Sequence, residues 1–269
     1  METILFVRGN GSLENLMLLI TNFGSENAYI VILALYSWLV SAKAGRQLGL
    51  WFGLNVALNT GLKLLFNTPR PFMLAPGLAS KAAIATAGGG GLPSGHAQNA
   101  AFTWGFLADK HPRTWFIVVC ILLTILVAIS RVYLGVHFAQ DVLIGVGIGL
   151  VISIIAARLE IPLLGMVAKV IAVLVGLGIS VFAGVDIGRS LGVAVAFLVS
   201  SAAFDVPKTW VSRVLVAVLG LVLVFGLYFA SSQIPESIKY LPWVTFLRYF
   251  LLTLFAVEGF PRVVSNFLR

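Results

Sequence analysis

The sequence predicts an all-α membrane protein, a polytopic bundle of about nine transmembrane helices. Three observations support this prediction: hydrophobic residues make up 59% of the chain, charged residues make up only 10%, and the mean hydropathy is +1.02. A soluble domain is roughly half apolar and a quarter charged. Because each span needs about 20 apolar residues, the 269 residues leave no room for a separate soluble domain of ordinary size.

Charges, prolines and glycine clusters separate the predicted spans along the chain. In order, these spans are residues 28–42, 47–66, 97–109, 114–131, 138–157, 162–183, 187–204, 211–231 and 241–257. The N-terminal stretch SLENLMLLITNF has apolar residues at helical spacing, which predicts a helix lying at the membrane interface. We expect one membrane domain over residues 1–269, in which residues 1–160 carry the motifs described below and residues 161–269 add further helices.

The basic residues predict the orientation of the bundle. If alternate loops share a side, nine basic residues collect together: Lys43, Arg46, Lys110, Arg113, Arg158, Lys208, Arg213, Arg262 and Arg269. The opposite side keeps four, Arg8, Lys81, Arg189 and Lys239, once three cations are assigned to a site. The positive-inside rule makes the first group cytoplasmic. Basic residues scattered singly between spans account for the formal charge of +8, so we expect no nucleic-acid partner.

Three stretches with unusual polarity fall on the predicted extracytoplasmic side. They are KLLFNTPRP with Lys63 and Arg70, PSGH at residues 93–96, and SRVYLGVHFAQD at residues 130–141. Charged groups near membrane depth are costly, so they pair with each other or face a polar cavity. These stretches therefore predict a shared cavity.

The residue types in these stretches suit a phosphate. Lys63, Arg70 and Arg131 supply three cations, and two guanidinium groups match the oxygens of a phosphoryl group. Ser94 and Gly95 precede an apolar helix, so the hydroxyl, the flexible backbone and the free N–H groups of the first turn can bind the same oxygens.

The two histidines distinguish a site that catalyses a reaction from one that only binds phosphate. His137 and Asp141 are four residues apart, so on one helix face the carboxylate would keep one imidazole nitrogen protonated and leave the other as a nucleophile or base. His96 would then act as general acid. Taken singly, Arg131 and Lys63 could snorkel to the interface, His96 could be structural and Asp141 could pair with Arg131. A metal is not expected, because three cations oppose a divalent ion beside these ligands.

The three blocks together resemble the signature of the type 2 phosphatidic acid phosphatase superfamily. The matching positions are Lys63, Arg70, Pro71, Pro93, Ser94, Gly95, His96, Ser130, Arg131, His137 and Asp141. The resemblance implies a six-helix-type phosphatase core with additional C-terminal helices. It also implies that His137 attacks phosphorus, that Asp141 orients His137 and that His96 protonates the leaving group. Lys63, Arg70, Ser94, Gly95 and Arg131 would bind the phosphoryl oxygens.

The resulting hypothesis is a metal-independent, cofactor-free phosphatase of the bacterial inner membrane. It would hydrolyse a lipid phosphate or pyrophosphate on the extracytoplasmic face through a phosphohistidine. A phosphotransferase using the same intermediate and a non-hydrolytic lipid-phosphate transporter are the alternatives. Its partners would be the lipid phosphate and membrane lipids, with the substrate, the oligomeric state (a homodimer included) and the roles of Lys169 and Arg248 left open.

Overall fold

A computed structural model describes residues 1–8 and 11–265, and over these residues it contains helices and no strands. Gly9, Asn10 and residues 266–269, which include Arg269 of the predicted cytoplasmic group, lie outside the described residues. The helices are α1 (Glu2–Arg8), α2 (Glu14–Asn22), α3 (Glu26–Leu39), α4 (Ala42–Phe66), α5 (Pro71–Leu74), α6 (Lys81–Ala85), α7 (Gly95–Lys110), α8 (Thr114–Tyr133), α9 (Ala139–Arg158), α10 (Met166–Ala183), α11 (Val185–Val199), α12 (Trp210–Ser232), α13 (Glu236–Lys239), α14 (Pro242–Leu254) and α15 (Phe260–Ser265).

The predicted fold class, an all-α polytopic membrane protein, is confirmed. Each of the nine predicted spans coincides with a helix, but the number nine is not confirmed. Among the described residues, six helices are long and apolar enough to cross a membrane, or seven if the bent pair α2 and α3 forms one span. Helices α3, α7 and α11 have only 14, 16 and 15 residues, which is shorter than the usual length of a span.

The described chain divides into two compact units. The first contains Met1–Tyr29 and Leu58–Leu159, and the second contains Ile30–Ala57 and Glu160–Arg269. All eight predicted site residues belong to the first unit. The predicted organisation, a core over residues 1–160 with added helices over residues 161–269, stays a prediction.

Close packing of α7 against α9 aligns the starts of these two helices in the first unit. A Cβ atom added to Gly145 would lie 2.6 Å from the Ser94 carbonyl oxygen, and one on Gly149 would overlap the Gln98 carbonyl. The spacing of these two glycines places both on one helix face, a pattern typical of close helix contacts in membranes. The Ser94 N–H donates to the Asp141 carbonyl at 2.9 Å, so two of the three sequence blocks are joined through their backbones.

The long segment over residues 67–94, which separates α4 from α7, contains the short helices α5 and α6. This segment includes a glycine run at residues 88–91. Thr68 holds the run beside the end of α4, because the Thr68 carbonyl accepts from the Gly91 N–H at 2.9 Å and Thr68 Oγ1 accepts from the Leu92 N–H at 2.8 Å. Gly135 has φ +69° in the turn between α8 and α9, a conformation that favours glycine.

In the second unit, Phe255–Gly259 form a π-helical turn between α14 and α15. In the i→i−5 pattern of that turn, the Ala256 carbonyl would accept from the N–H of residue 261, which is a proline and has none. Instead, Trp38 Nε1 donates to the Ala256 oxygen at 2.8 Å. The freed carbonyl therefore keeps a partner, as a buried backbone group requires.

Candidate active site

Arg70 lies at the centre of the candidate site. This side chain is 1% exposed and directly precedes α5. Its Nη1 group donates to the Val136 carbonyl at 2.9 Å and approaches His137 Nε2 at 3.0 Å. Its Nε and Nη2 groups donate to the carbonyls of Gly89 and Gly88 at 3.0 and 2.6 Å. Arg70 thus connects the glycine run with the histidine.

The contact with Arg70 assigns the tautomer of His137. A guanidinium can only donate, so Nε2 accepts and is unprotonated, which leaves the proton of the neutral ring on Nδ1. Nδ1 faces Asp141 Oδ2 at 3.4 Å, and that oxygen also accepts from the Phe138 N–H at 2.9 Å. His137 precedes α9 rather than beginning it. Its Nδ1 atom lies beside the Asp141 carboxylate as predicted, but it makes no hydrogen bond with a described residue.

His137 lies in the turn between two spanning helices and is 1% exposed. Burial, followed by the positive charges of Arg70 and Arg131, holds the pKa of His137 well below its ordinary value. As the pH falls, the imidazole therefore stays neutral to a lower pH than a free histidine does. A neutral imidazole with an unprotonated Nε2 is the form that can act as a nucleophile.

The second block forms the start of α7. Ser94 is the residue before the helix, is fully buried, and its hydroxyl has no hydrogen-bond partner among the described residues. A Cβ atom on Gly95 would lie 3.0 Å from Asn59 Oδ1, so glycine permits the close approach of α4. His96, in the first turn of α7, is half-buried. The side chain of Ser94 and the first N–H groups of α7 are therefore donors available to an anion.

The two remaining cations have different partners. Lys63 Nζ donates to the Gly90 carbonyl at 2.5 Å. Arg131 is fully buried and donates through Nη1 to Thr21 Oγ1 at 2.6 Å and Thr86 Oγ1 at 2.9 Å. Its Nε group has no partner among the described residues. The alternative in which Arg131 forms an ion pair with Asp141 is not what the structure shows, since its guanidinium bonds to the two threonines.

The electrostatic balance of the site favours an anion. Lys63, Arg70 and Arg131 interact electrostatically with both His96 and His137, and the site contains one carboxylate, that of Asp141. With neutral histidines, three cations and one carboxylate leave two positive charges. A phosphate monoester carries a charge of about −1.5 to −2 near neutral pH, which this excess matches.

Sequence reasoning missed several residues that hold the site together. Thr21 and Thr86 contact Arg131, and Asn59 Nδ2 donates to Gln98 Oε1 at 2.8 Å beneath the start of α7. Gly24 packs against His96, because a Cβ atom there would lie 3.1 Å from His96 Cβ. The available signal was weak: a polar residue inside an apolar helical segment, as Asn59 and Gln98 are, indicates a buried polar contact.

Within the described ranges, no group of three or more histidine, cysteine, aspartate or glutamate side chains could hold a metal ion. His137 and Asp141 are adjacent, but the third neighbour is Arg70, a cation. The donor set of this site is therefore suited to an anion.

The fold and the site define a helical membrane protein in which buried cations surround two histidines. Residues 44–161 match the PAP2 superfamily, and residues 182–268 match the profile described as PAP2 superfamily phosphatase, transmembrane extension. The chain belongs to the PAP2 superfamily and carries its transmembrane extension. The first match contains all eight predicted site residues.

A sequence match and a structural match both come from Bacillus subtilis. Over 70 residues the chain is 41% identical to phosphatidylglycerophosphatase B of strain 168, an alignment that covers 22% of this chain and 34% of the relative. The chain thus spans about a third of the length of that relative. The crystal structure of a transmembrane PAP2-type phosphatidylglycerolphosphate phosphatase is 28% identical, with a TM-score of 0.45, and the match covers 54% of this chain and 74% of that one.

Proposed function

We propose that this protein is an integral-membrane phosphatase that hydrolyses a lipid phosphate or pyrophosphate through a phosphohistidine at His137, without a metal ion or cofactor. The observation that carries the proposal is the buried row Arg70–His137–Asp141. Nη1 of Arg70 lies 3.0 Å from Nε2 of His137, and Nδ1 lies 3.4 Å from Asp141 Oδ2. This geometry supports a neutral histidine whose reactive nitrogen faces the phosphate-binding cations.

Substrate binding replaces the present partners of the cations. Arg70 and Lys63 exchange the carbonyls of Gly88, Gly89 and Gly90 for phosphoryl oxygens, and the phosphorus atom takes the place of Arg70 at Nε2. Hydrogen bonds between ionised partners are roughly twice as strong as neutral ones, which favours the exchange. The Ser94 hydroxyl, the Gly95 N–H and the Arg131 Nε–H, donors of the same pocket, complete the binding of the phosphoryl group.

In the first chemical step, His137 Nε2 forms a bond to phosphorus while the bond between phosphorus and the lipid oxygen breaks. His96, neutral before the substrate binds, takes up a proton once the phosphate anion offsets the three cations. It gives that proton to the lipid oxygen, and Asp141 stabilises the positive charge that develops on the His137 ring. In the second step, water attacks phosphorus, the P–N bond breaks and His96 takes the proton of the water. Inorganic phosphate leaves and both histidines return to their starting states.

The distribution of basic residues supports a location for the active site. The positive-inside rule supports an active site on the extracytoplasmic face of a bacterial inner membrane. Among lipid phosphates, phosphatidylglycerol phosphate ranks first, because the name of the Bacillus subtilis relative specifies that substrate.

The proposal is tested by phosphate release from the detergent-purified full chain in the presence of EDTA. The panel contains phosphatidylglycerol phosphate, phosphatidic acid, isoprenoid pyrophosphates, sphingosine phosphate and glucose 6-phosphate. We expect release from at least one lipid, and the same rate with and without EDTA. Activity that EDTA abolishes and a divalent ion restores would contradict the metal-independent mechanism.

The panel also separates the alternative activities. A phosphotransferase would deliver the phosphoryl group to an added lipid or sugar alcohol instead of water, so labelled acceptor would appear without free phosphate. A transporter would bind the lipids and release no phosphate from any of them. Either result would overturn the proposal that the protein is a hydrolase.

Removal of the Thr21 hydroxyl should weaken substrate binding. In Thr21→Val, Arg131 Nη1 loses an acceptor now at 2.6 Å, and an unsatisfied buried donor costs about 2 kcal/mol, or about thirtyfold. We expect KM to rise by about that factor with a smaller change in kcat, because the guanidinium that binds the phosphoryl group is no longer held in place. Steady-state kinetics on the best substrate measure the split.

Thr124→Val is the matched control. Thr124 lies on α8, and its hydroxyl donates within the helix to the Cys120 carbonyl at 2.9 Å, so the same exchange should leave KM unchanged. Equal KM values for Thr21→Val and the unaltered protein would contradict a role of Thr21 in positioning Arg131.

A further inference from the structure

The second unit contains a cavity of about 380 Å³ between α10, the end of α11 and the segment from α14 to α15. Its size falls in the range of small-molecule pockets, roughly 300–1,000 Å³. The walls are apolar and are formed by Val170, Val173, Leu174, Val199 and Leu254. Three charged side chains also line the cavity: Lys169, Glu258 and Arg262.

Two of the three charged groups already have protein partners. Glu258 Oε1 accepts from the Ser201 N–H, and Oε2 accepts from Arg262 Nη2 at 2.8 Å. The Glu258 carboxylate is therefore already paired with Arg262 and with a backbone N–H group. The π-helical turn that contains Glu258 presents it on the same face as Leu254 and Arg262, each separated by four residues.

Lys169 differs from these two. It is half-buried, it lines the cavity, and no carboxylate of the described residues lies within 4.0 Å of its Nζ atom. It is the fourth residue of α10 (Met166–Ala183), a candidate span, so it lies near one end of that span. A cation near a span end, with an apolar cavity beside it, is the arrangement in which an anionic head group and an acyl chain can bind together.

We propose that this cavity binds one anionic phospholipid. Lys169, together with the outer edge of the Arg262 guanidinium, holds the phosphate of the head group. One acyl chain lies against Val170, Val173, Leu174 and Leu254. Basic pockets between transmembrane helices on the cytoplasmic side bind acidic lipids in this way, and the positive-inside rule assigns the ends carrying Lys169 and Arg262 to that side.

The charge of the lining selects the ligand class. Lys169 and Arg262 outnumber Glu258, so the lining carries one net positive charge. The head group of a zwitterionic lipid has no net charge, so it is not attracted overall to the positive lining. An anionic lipid has a net negative charge and is attracted to it. A snorkelling Lys169 that only reaches the interface would show no such selectivity, and this difference makes the proposal testable.

The test is native mass spectrometry of the full chain titrated with dioleoylphosphatidylserine or dioleoylphosphatidylcholine, which have the same acyl chains. Neither lipid is a phosphate monoester, so neither is a substrate of the proposed reaction. We expect the anionic lipid to bind about tenfold more tightly, the scale of one hydrogen bond to a charged group. Lys169→Gln should remove that preference. Inorganic phosphate should not displace the lipid, since it lacks the chain that fills the cavity.

Two further variants complete the test. Lys208→Gln removes the same charge from an exposed loop residue and should keep the preference. Val170→Phe fills the cavity while Lys169 remains, and should weaken both lipids. Equal binding of the two lipids by the unaltered protein, or an unchanged preference in Lys169→Gln, would overturn the proposal. Circular dichroism melting confirms that each variant is folded. Phosphate release is measured separately and does not bear on this result.

Discussion

His137→Gln should reduce kcat/KM for the best lipid phosphate by about 10⁴-fold or more, the scale seen when a catalytic nucleophile is removed. Glutamine keeps a polar side chain that can still accept from Arg70, whose Nη1 group now lies 3.0 Å from His137 Nε2. It cannot form the bond to phosphorus. The loss should appear in kcat, measured by phosphate release at saturating substrate, while the binding of inorganic phosphate changes much less.

His111→Gln is the control for this exchange. His111 follows α7 at its far end, sixteen residues or one helix length from the site, and we expect full activity. Residual turnover of His137→Gln within tenfold of the unaltered protein would show that another group attacks phosphorus. A folded His137→Gln protein, judged by its melting curve, is required for either conclusion.

Gly149→Val should destabilise the protein by about 3 kcal/mol or more. Extra atoms in a packed contact typically cost about 1–3 kcal/mol, and the cost should be at the upper end here because a backbone carbonyl cannot move aside as a flexible side chain can. A Cβ atom at this position would overlap the Gln98 carbonyl oxygen and lie 2.9 Å from Ala101 Cβ. Helices α7 and α9 would have to separate, which would also pull the Ser94 N–H from the Asp141 carbonyl. We expect a lower melting temperature in detergent together with a loss of activity.

Gly147→Val is the matched control on the same helix. No heavy atom lies within 4 Å of a Cβ atom built on Gly147, so the change in helix propensity is the same and the steric overlap is missing. The two variants should differ clearly in melting temperature. Equal melting temperatures would mean that the contact of α9 with α7 does not depend on glycine.

The sequence indicated which residues lie together in the candidate site because their spacing and polarity are local features. Asp141 follows His137 at a spacing that brings the two together, and Ser94 and Gly95 occur where an apolar helix begins. Lys63, Arg70 and Arg131 are costly in an apolar chain, so their presence alone indicates a polar cavity. The roles of these residues in catalysis stay proposals, and their proximity to His96 and His137 supports them.

The supporting residues could not be predicted in the same way. Thr21 and Thr86 contact Arg131 across 110 and 45 positions of the chain, and no local spacing connects them. The apolar spacing around Thr21 predicts an interfacial helix, yet Thr21 is fully buried. The four-residue spacing of Gly145 and Gly149 indicates a close contact with another helix. The spacing does not say which helix that is, and the structure shows that it is α7.

The number of spans was the least determined feature. Hydropathy located a helix in every predicted segment, because apolar periodicity is a local property. It did not separate helices that cross a bilayer from shorter ones such as α7 and α11, which have 16 and 15 residues. Their length depends on where polar and glycine-rich turns end them, and hydropathy averaged over a window does not resolve such ends.

The most direct test of the phosphohistidine is a rapid-quench experiment with a lipid substrate labelled with ³²P at its terminal phosphate. During turnover, the account predicts a labelled protein whose phosphate is lost in acid and retained in base, maps to the peptide containing His137, and is missing from His137→Gln. Turnover that proceeds with no labelled protein at any quench time, or a label on another residue, would contradict the account.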